Sequence, residues 1–395
     1  MDRTLNGVVV VDAVRTAFGR AGEKGIFWNT RADDLIVPLL KALMQRNPKI
    51  TPNMIEDNIW GVTNQVKEQG GTIGRAVSML ADWGYEIPGC SIDRMCAGGL
   101  SAVGFAAATV ASGMADCLIA GGVEHMGHLP MGFMRDPHPR LEDVMGGPSA
   151  FNMGLTAENL HERFPEFTRE MADRYAERCQ ENADLAIQAG KMKDMVIPME
   201  VEMADGTRIL ADQDQPPRPG TTLEGLGNLK TPFKEDGNVT AGNASGLNDG
   251  ASAVLIMNEE KARELGIRPI MRWVSSGVAA MDPTIMGIAP VPATEKALKK
   301  AGLTMADLDL VEINEAFAVQ ALYFMDRMGM DWDDGRVNRW GGSIAYGHPL
   351  AASGPRLVAF LAGLFKENPE AKYGLTTMCV GRGQGYSMIW ENLDE

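Results

Sequence analysis

The sequence predicts an α/β protein made of two similar halves, with a long loop-rich insertion in the first. Three observations carry this. Short β-branched runs alternate with helical patterns along most of the chain. A succession of turn, acidic residue, strand and Ala/Gly-rich helix occurs twice, with 45 residues from Thr51 to Cys96 and 44 from Thr304 to His348. From about His125 to Asn248 the texture shifts to Pro, Gly, Met and charge. Insertions of that size in compact domains are usually functional.

The individual elements follow in order. Val8–Val11 is a β-branched run and reads as a strand. Ala32–Arg46 carries Leu35, Leu39, Leu40 and Leu43 at helical spacing. Ile59–Thr63 reads as a second strand. Ala97–Ala115 is 19 residues without a charge, near the length of a membrane span. Its four glycines, and Leu100, Val103, Val110 and Met114 on one face, predict a tightly packed buried helix instead. Cys117–Gly122 follows as a buried strand. Arg169–Gly190 is the one clear helix of the insertion. Strand patterns resume at Ser252–Met257, Leu310–Ile313 and Leu375–Val380.

Composition excludes several classes. With 395 residues, 45% of them apolar, the chain builds a large core and is not intrinsically disordered. Lys and Arg number 37 against 52 Asp and Glu, a net charge of −15. Such a surface repels phosphate backbones and anionic lipid, so neither nucleic acid nor stable membrane insertion is expected. An acidic substrate would need a local basic patch. Five cysteines, an odd number with no CxxC pair, form no disulfide framework and indicate a reducing compartment, hence the cytoplasm. Met1–Thr4 lead straight into the strand-like Gly7–Val11 without a signal or transit pattern, and Asn392–Glu395 is no peroxisomal address.

Four places could carry chemistry. Cys96, in Asp93-Arg94-Met95-Cys96-Ala97-Gly98-Gly99, opens the long helix, whose N-terminus would stabilise a thiolate. A random intracellular cysteine is far more often a buried structural thiol, and only this position argues otherwise. His348, one of five histidines, is held between Gly347 and Pro349. Cys379 ends a buried strand, and Gly381 and Gly383 after it expose backbone N–H groups, the material of an oxyanion hole. Asn314 offers a polar side chain just after the strand Leu310–Ile313.

Other motifs are decoys. His125 and His128 have an HxxH spacing, but no convincing third ligand follows, so no metal is expected. Gly381–Gly385 is not GxGxxG, and the serine of Gly242–Gly246 sits one place late for a GxSxG elbow. The 26 methionines are read as core filler.

Together these segments resemble the thiolase family over nearly the whole chain. They are VVDAVRTAFGR near the start, DRMCAGGLSA at Cys96, GGVEHMG, MGLTAEN, TAGNASGLNDGA, VEINEAFA, GGSIAYGHPLAASG and CVGRGQG. DPTIMGIAPVPA, EHMGHLPMG and RPGTTLEGLGNLKTPF look most like degradative 3-ketoacyl-CoA thiolases, in particular the thiolase subunit of bacterial fatty-acid oxidation complexes. The resemblance implies a five-layered αβαβα fold. Residues 1–120 with 250–270 would form one half, 121–249 a coenzyme-A-binding loop domain, and 271–395 the other half.

The resemblance also implies roles. Cys96 takes the acyl group, His348 deprotonates it, and Cys379 is the second acid/base. One oxyanion hole uses His348 and a water held by Asn314; the other uses the backbone N–H groups of Cys96 and Gly381. Ser245 meets the pantetheine, Arg218 lies near the nucleotide end, and Phe233, Met153 and Phe317 line the tunnel. Coenzyme A is then a substrate, and no cofactor is expected. A homodimer or dimer of dimers is implied, with a hydratase/dehydrogenase subunit as further partner. Asn152 stands where short-chain acetoacetyl-CoA thiolases typically carry His, which favours the degradative reading. Ala351-Ala352 and Arg382 depart from more Gly-rich versions.

Three alternatives compete. An acetoacetyl-CoA thiolase working toward condensation is the nearest. A ketosynthase-type condensing enzyme would lack a second reactive cysteine, and its Cys-His-Asn form places Asn after His, whereas Asn314 precedes His348. A non-catalytic scaffold would have lost one of Cys96, His348 and Cys379.

Overall fold

The computed structural model describes residues 5–393. The readings placed on Met1–Thr4 and on Asp394-Glu395 lie outside them. Twelve strands form: β1 (Val8–Arg15), β2 (Gly19–Arg20), β3 (Asp57–Gly61), β4 (Cys90–Ile92), β5 (Cys117–His125), β6 (Met199–Glu202), β7 (Arg208–Ala211), β8 (Asn248–Asn258), β9 (Met271–Ala280), β10 (Leu310–Ile313), β11 (Tyr373–Val380) and β12 (Gln384–Asn392). β6 and β7 make a small hairpin in the insertion, and the other ten share one mixed sheet, ordered β10-β11-β12-β9-β1-β8-β5-β3-β4 with β2 on β8.

That sheet is two half-sheets in series. β4-β3 and β3-β5 are parallel, β5-β8 and β8-β1 antiparallel. On the other side, β10 takes a parallel bridge from Val337, β10-β11 is parallel, and β11-β12 and β12-β9 are antiparallel. The pairing order is therefore repeated strand for strand. The two half-sheets are joined by β1 and β9, at Val9↔Arg272 and Val10↔Met271.

Helices complete five layers. The helices Gly98–Ala111 and Leu350–Glu367 lie between the half-sheets and are buried on almost every face. A helix apolar all round belongs in an interior, which is why this segment carries no charge. Gly99 sets how near the two come. A Cβ there would stand 2.2 Å from the carbonyl oxygen of Ala351 and 2.6 Å from Pro355. The Ala351 that departs from Gly-rich versions thus fits because its opposite residues, Gly98 and Gly99, have no side chain. Ala32–Arg46 covers the outer face of the first half, burying Leu35, Leu39, Leu40 and Leu43 as its spacing predicts. Pro290–Ala301 covers the second half, with Gly277 of β9 under Ala293.

The element readings hold with shifts. β1, β5, β8 and β11 run longer than their apolar runs, and β3 sits two residues earlier than Ile59–Thr63. The uncharged helix stops at Ala111, and Met114 is exposed rather than on the buried face. β5 and β8 also extend across residues 120/121 and 249/250, where the loop region was drawn. Among the described residues no helix is long and apolar enough to cross a membrane. The insertion is tied down by Arg15, wholly buried on β1, whose guanidinium makes bonds of 2.6 and 2.7 Å to Asp214 and lies over the Tyr346 and Phe360 rings.

Candidate active site

Cys96 and His348 occupy equivalent places in the two halves. Each precedes one of the buried helices, Cys96 within the single turn Met95–Ala97 and His348 two residues before Leu350. The packing of Gly98 and Gly99 on Ala351 brings these helix starts together. Cys379 and Asn314 arrive at the ends of the adjacent parallel strands β11 and β10. Open α/β sheets commonly place ligands at the carboxyl ends of their strands.

The turn carrying Cys96 is strained and braced. Met95 has φ of +45°, unusual for a side-chain-bearing residue. Asp93 Oδ1 accepts its N–H at 2.6 Å, and Thr63 Oγ1 donates to its carbonyl at 3.2 Å. The backbone N–H groups of Gly381 and of Cys96 itself both donate toward Sγ. Gly381 packs closely here, and a Cβ on it would lie 2.8 Å from the methyl of Met95.

Burial nonetheless overturns the expected acidity. The Cys96 thiol is pushed up to about 11 by desolvation, against the two N–H donors, and the nearby Glu124 adds to the rise. Glu124 is itself buried, accepting from Thr63 N at 3.1 Å, Asn64 N at 3.3 Å and Gln69 Nε2 at 2.8 Å. The helix start does not make a standing thiolate. Cys379 is also raised, by burial and then by the Cys96 charge beside it.

His348 is held as a neutral base. Its Nδ1 lies 2.6 Å from Ser353 Oγ, its backbone N–H donates to Asn248 Oδ1 at 2.9 Å, and its Nε2 is 3.5 Å from Asn314 Nδ2. Burial, then the positive Arg356, push it down to about 3. Neutral thiol and neutral imidazole are therefore the resting state. A Cys96 thiolate then has to be generated by passing its proton to a base in the course of the reaction.

The remaining residues divide into neighbours and outliers. A Cβ on Gly381 would sit 3.6 Å from Met153 Sδ, one on Gly154 would strike the Phe233 ring, and Phe233 meets Phe317 edge-on at 6.5 Å. Ser245 is joined to the same segment, its Oγ donating to Ala316 O at 3.2 Å. Arg218 is exposed and held by its backbone N–H on Gln180 Oε1 at 2.9 Å, with no contact to the reactive residues. Asn152 caps the helix Met153–Arg163, accepting from Gly154 and Leu155 N–H at 3.0 and 3.3 Å. A capping asparagine needs no catalytic explanation.

Sequence reasoning missed Asn248, Ser353 and Glu124. All three stood inside quoted motifs, Asn248 in TAGNASGLNDGA, Ser353 in GGSIAYGHPLAASG and Glu124 in GGVEHMG, with nothing in the spacing to mark their contacts. It also missed a third member beside His125 and His128, Glu68. All four ring nitrogens there have protein partners: Phe27 O and His128 N for His125, Glu68 Oε1 and Trp28 O for His128. The cluster is a hydrogen-bonded brace with stacked rings 3.7 Å apart.

Comparison with known proteins identifies the family. Residues 8–260 match the model of the thiolase N-terminal domain, and residues 267–392 that of the thiolase C-terminal domain. The chain is 44% identical to the 3-ketoacyl-CoA thiolase of Vibrio vulnificus (strain CMCP6) over 98% of its length and 100% of the relative's. It is 43% identical to the 3-ketoacyl-CoA thiolase of Pseudoalteromonas translucida over 99% of its length and all of that protein. The solved human mitochondrial 3-ketoacyl-CoA thiolase superposes with a TM-score of 0.88 at 34% identity, over 99% of this chain and 100% of that one. The acetyl-CoA acetyltransferase of Bacillus anthracis gives the same values. Two matched domains, full-length relatives and a site of two thiols, an imidazole and an asparagine at the strand ends lead to one conclusion: the chain belongs to the thiolase family.

Proposed function

We propose that the chain is an acyltransferase that cleaves 3-ketoacyl-CoA with coenzyme A, giving acetyl-CoA and an acyl-CoA shortened by two carbons, in fatty-acid β-oxidation. The observation that carries this is the convergence of two thiols with separate surroundings. Cys96 has backbone N–H donors and lies at the mouth of a helix; Cys379 is buried on the strand end beside it. A single-thiol condensing enzyme has no use for the second. The relatives named 3-ketoacyl-CoA thiolase support the degradative direction.

The steps follow from the residues. As Cys96 Sγ attacks the 3-keto carbon, its proton passes to Nε2 of the neutral His348, in the tautomer whose Nδ1–H donates to Ser353 Oγ. The tetrahedral oxyanion is met by the N–H groups of Cys96 and Gly381. The carbon–carbon bond breaks, its electron pair forming the acetyl-CoA enolate, which His348 and a water to which the Asn314 amide donates stabilise. Cys379 gives that carbon its proton. Cys379 thiolate then takes the proton of the incoming coenzyme A, whose sulfur displaces the acyl group, and His348 returns its proton to the departing Cys96 sulfur. No cofactor takes part; coenzyme A is a substrate.

Substrate would run from Cys96 past Met153, Phe233 and Phe317, with Ser245 on the pantetheine and Arg218 at the nucleotide end. The division into halves 1–120 with 250–270 and 271–395 around a loop domain 121–249 draws support from the repeated pairing order. A cytoplasmic homodimer or dimer of dimers, joined to a hydratase/dehydrogenase subunit, rests on the family. Solution scattering at micromolar concentration tests it, a monomeric mass counting against it.

Thiolysis kinetics over a series of 3-ketoacyl-CoA chain lengths test the activity. Turnover that extends to medium or long chains is expected. Turnover restricted to acetoacetyl-CoA would assign the condensing role instead, and none with any chain would overturn the proposal.

A further inference from the structure

We infer that Ser343 and Arg356 are positioning residues that fix which end of the Asn314 amide faces the reacting atoms. The inference rests on the proposed reading of Asn314 as an enolate-stabilising donor and names what makes it one.

An asparagine amide presents an acceptor oxygen and a donor nitrogen of nearly the same shape, and only the donor can stabilise an enolate oxygen. The hydrogen-bond chain here decides between them. Arg356 Nη2 lies 2.8 Å from Ser343 Oγ. A guanidinium only donates, so the serine oxygen must accept there. Its one proton is then free for its other neighbour, Asn314 Oδ1, at 2.6 Å. With the oxygen so engaged, Asn314 Nδ2 is the end that faces His348 Nε2 at 3.5 Å. Reversing the amide would set its N–H₂ against a serine oxygen already serving a cation and leave the serine proton without an acceptor.

The surroundings single this chain out. Ser343, Asn314 and Arg356 are all wholly buried, so no solvent substitutes for a missing link. Arg356 sits over the Phe360 ring at 4.8 Å. Its Nε and Nη1, and both carboxylate oxygens of Glu312, have no protein hydrogen-bond partner. Glu312 gives Arg356 no hydrogen bond, and the bond to Ser343 gives the guanidinium its direction. Ser343 opens a four-residue helix whose other end is the Gly347-His348 turn, so the same short segment aims both oxyanion partners.

The test separates two half-reactions catalysed by the same enzyme. Carbon–carbon cleavage passes through the enolate; exchange of labelled coenzyme A into acyl-CoA passes through the Cys96 thioester alone. Ser343→Ala, which removes the hydroxyl without adding bulk, is expected to lower kcat for cleavage about 10- to 100-fold. It should change exchange by less than about twofold, and Ser343→Thr should recover most of the loss. Equal losses in both half-reactions, or no loss in cleavage, would overturn the inference. Asn314→Ala is the control for the reading beneath it. If that variant cleaves normally, Asn314 is no enolate donor and the failure lies there; if it cleaves poorly while Ser343→Ala cleaves normally, only the positioning role fails.

Discussion

At the scale of single residues, the two thiols proposed to act in catalysis are both raised by burial and differ in placement. Cys96→Ala is expected to abolish acyl-enzyme formation, because no other group is placed to hold the chain as a thioester. Cys379→Ala should still acylate but lose turnover by about 10²–10⁴-fold, the usual weight of one general acid/base. Labelled 3-ketoacyl-CoA followed by peptide mass mapping reads this directly; label on Cys379 in the unaltered enzyme would reverse the roles. The raised thiol makes a second prediction. With Cys96 at about 11, above its ordinary 9.0, the thiolate fraction at neutral pH is lower than for a free cysteine. Its alkylation by iodoacetamide, in a Cys379→Ala background, should keep accelerating past about pH 9, and a plateau near neutrality would show a standing ion pair with His348 instead.

Among elements, the paired buried helices are the part most sensitive to small change. Gly99→Ala drives a methyl into the Ala351 carbonyl, a backbone atom that cannot rotate away. It is expected to cost about 1–3 kcal/mol of stability and to separate Cys96 from His348. A thermal midpoint and thiolysis rate both unchanged would mean the helices part without penalty. These helices also show what a single chain reveals. Leu35, Leu39, Leu40 and Leu43 announced their helix because one face is wet, and β10 was bounded by its apolar run. β9 and β12 escaped notice because β9 mixes Arg272, Ser275 and Ser276 with apolar residues and β12 follows the reactive loop at once. At the site, glycine-flanked Cys96, His348 and Cys379 were legible from their turns. The acidity of Cys96 was not, because helix-end stabilisation is local in sequence while desolvation comes from residues far along the chain, Glu124 among the charges. Arg356 and Ser343 were illegible for the same reason: their meaning is a contact.

For the whole molecule, buried titratable groups set opposing pH limits. Glu312 is pushed up from 4.5 to about 8 by burial, Arg356 opposing and Glu315 adding to the rise. Asp249 is pushed up to about 7, chiefly by burial. The native state keeps protons that the unfolded chain releases, so these groups cost stability as pH rises from the unfolded carboxylate range to about 7–8. His348 acts in reverse. The unfolded chain takes up a proton near 6.5 that the native state refuses until about 3, so stability falls as pH drops through that window. Glu312→Gln should therefore raise the melting temperature relative to the unaltered protein at about pH 9 and leave the difference small near pH 5. A gain that is the same at both values would show that Glu312 is ionised in the fold throughout.

The antiparallel partnership of β5 and β8 has a consequence for how such a chain could diversify. His125, the last residue of β5, is paired with Asp249 of β8, so residues 126–248 depart from and return to neighbouring rungs of one ladder. The entropy of closing an excursion grows only logarithmically with its length. That stretch leaves and rejoins the sheet at one place, and bonds such as Arg15 to Asp214 and Tyr175 to Glu315 hold it on the rest of the fold. It contains Met153, Arg218, Phe233 and Ser245, whereas Cys96, Asn314, His348 and Cys379 all lie outside it. Of the residues proposed to meet substrate, only Phe317 stands outside that stretch, so most of what would sort one acyl chain from another can vary apart from the residues proposed to move protons.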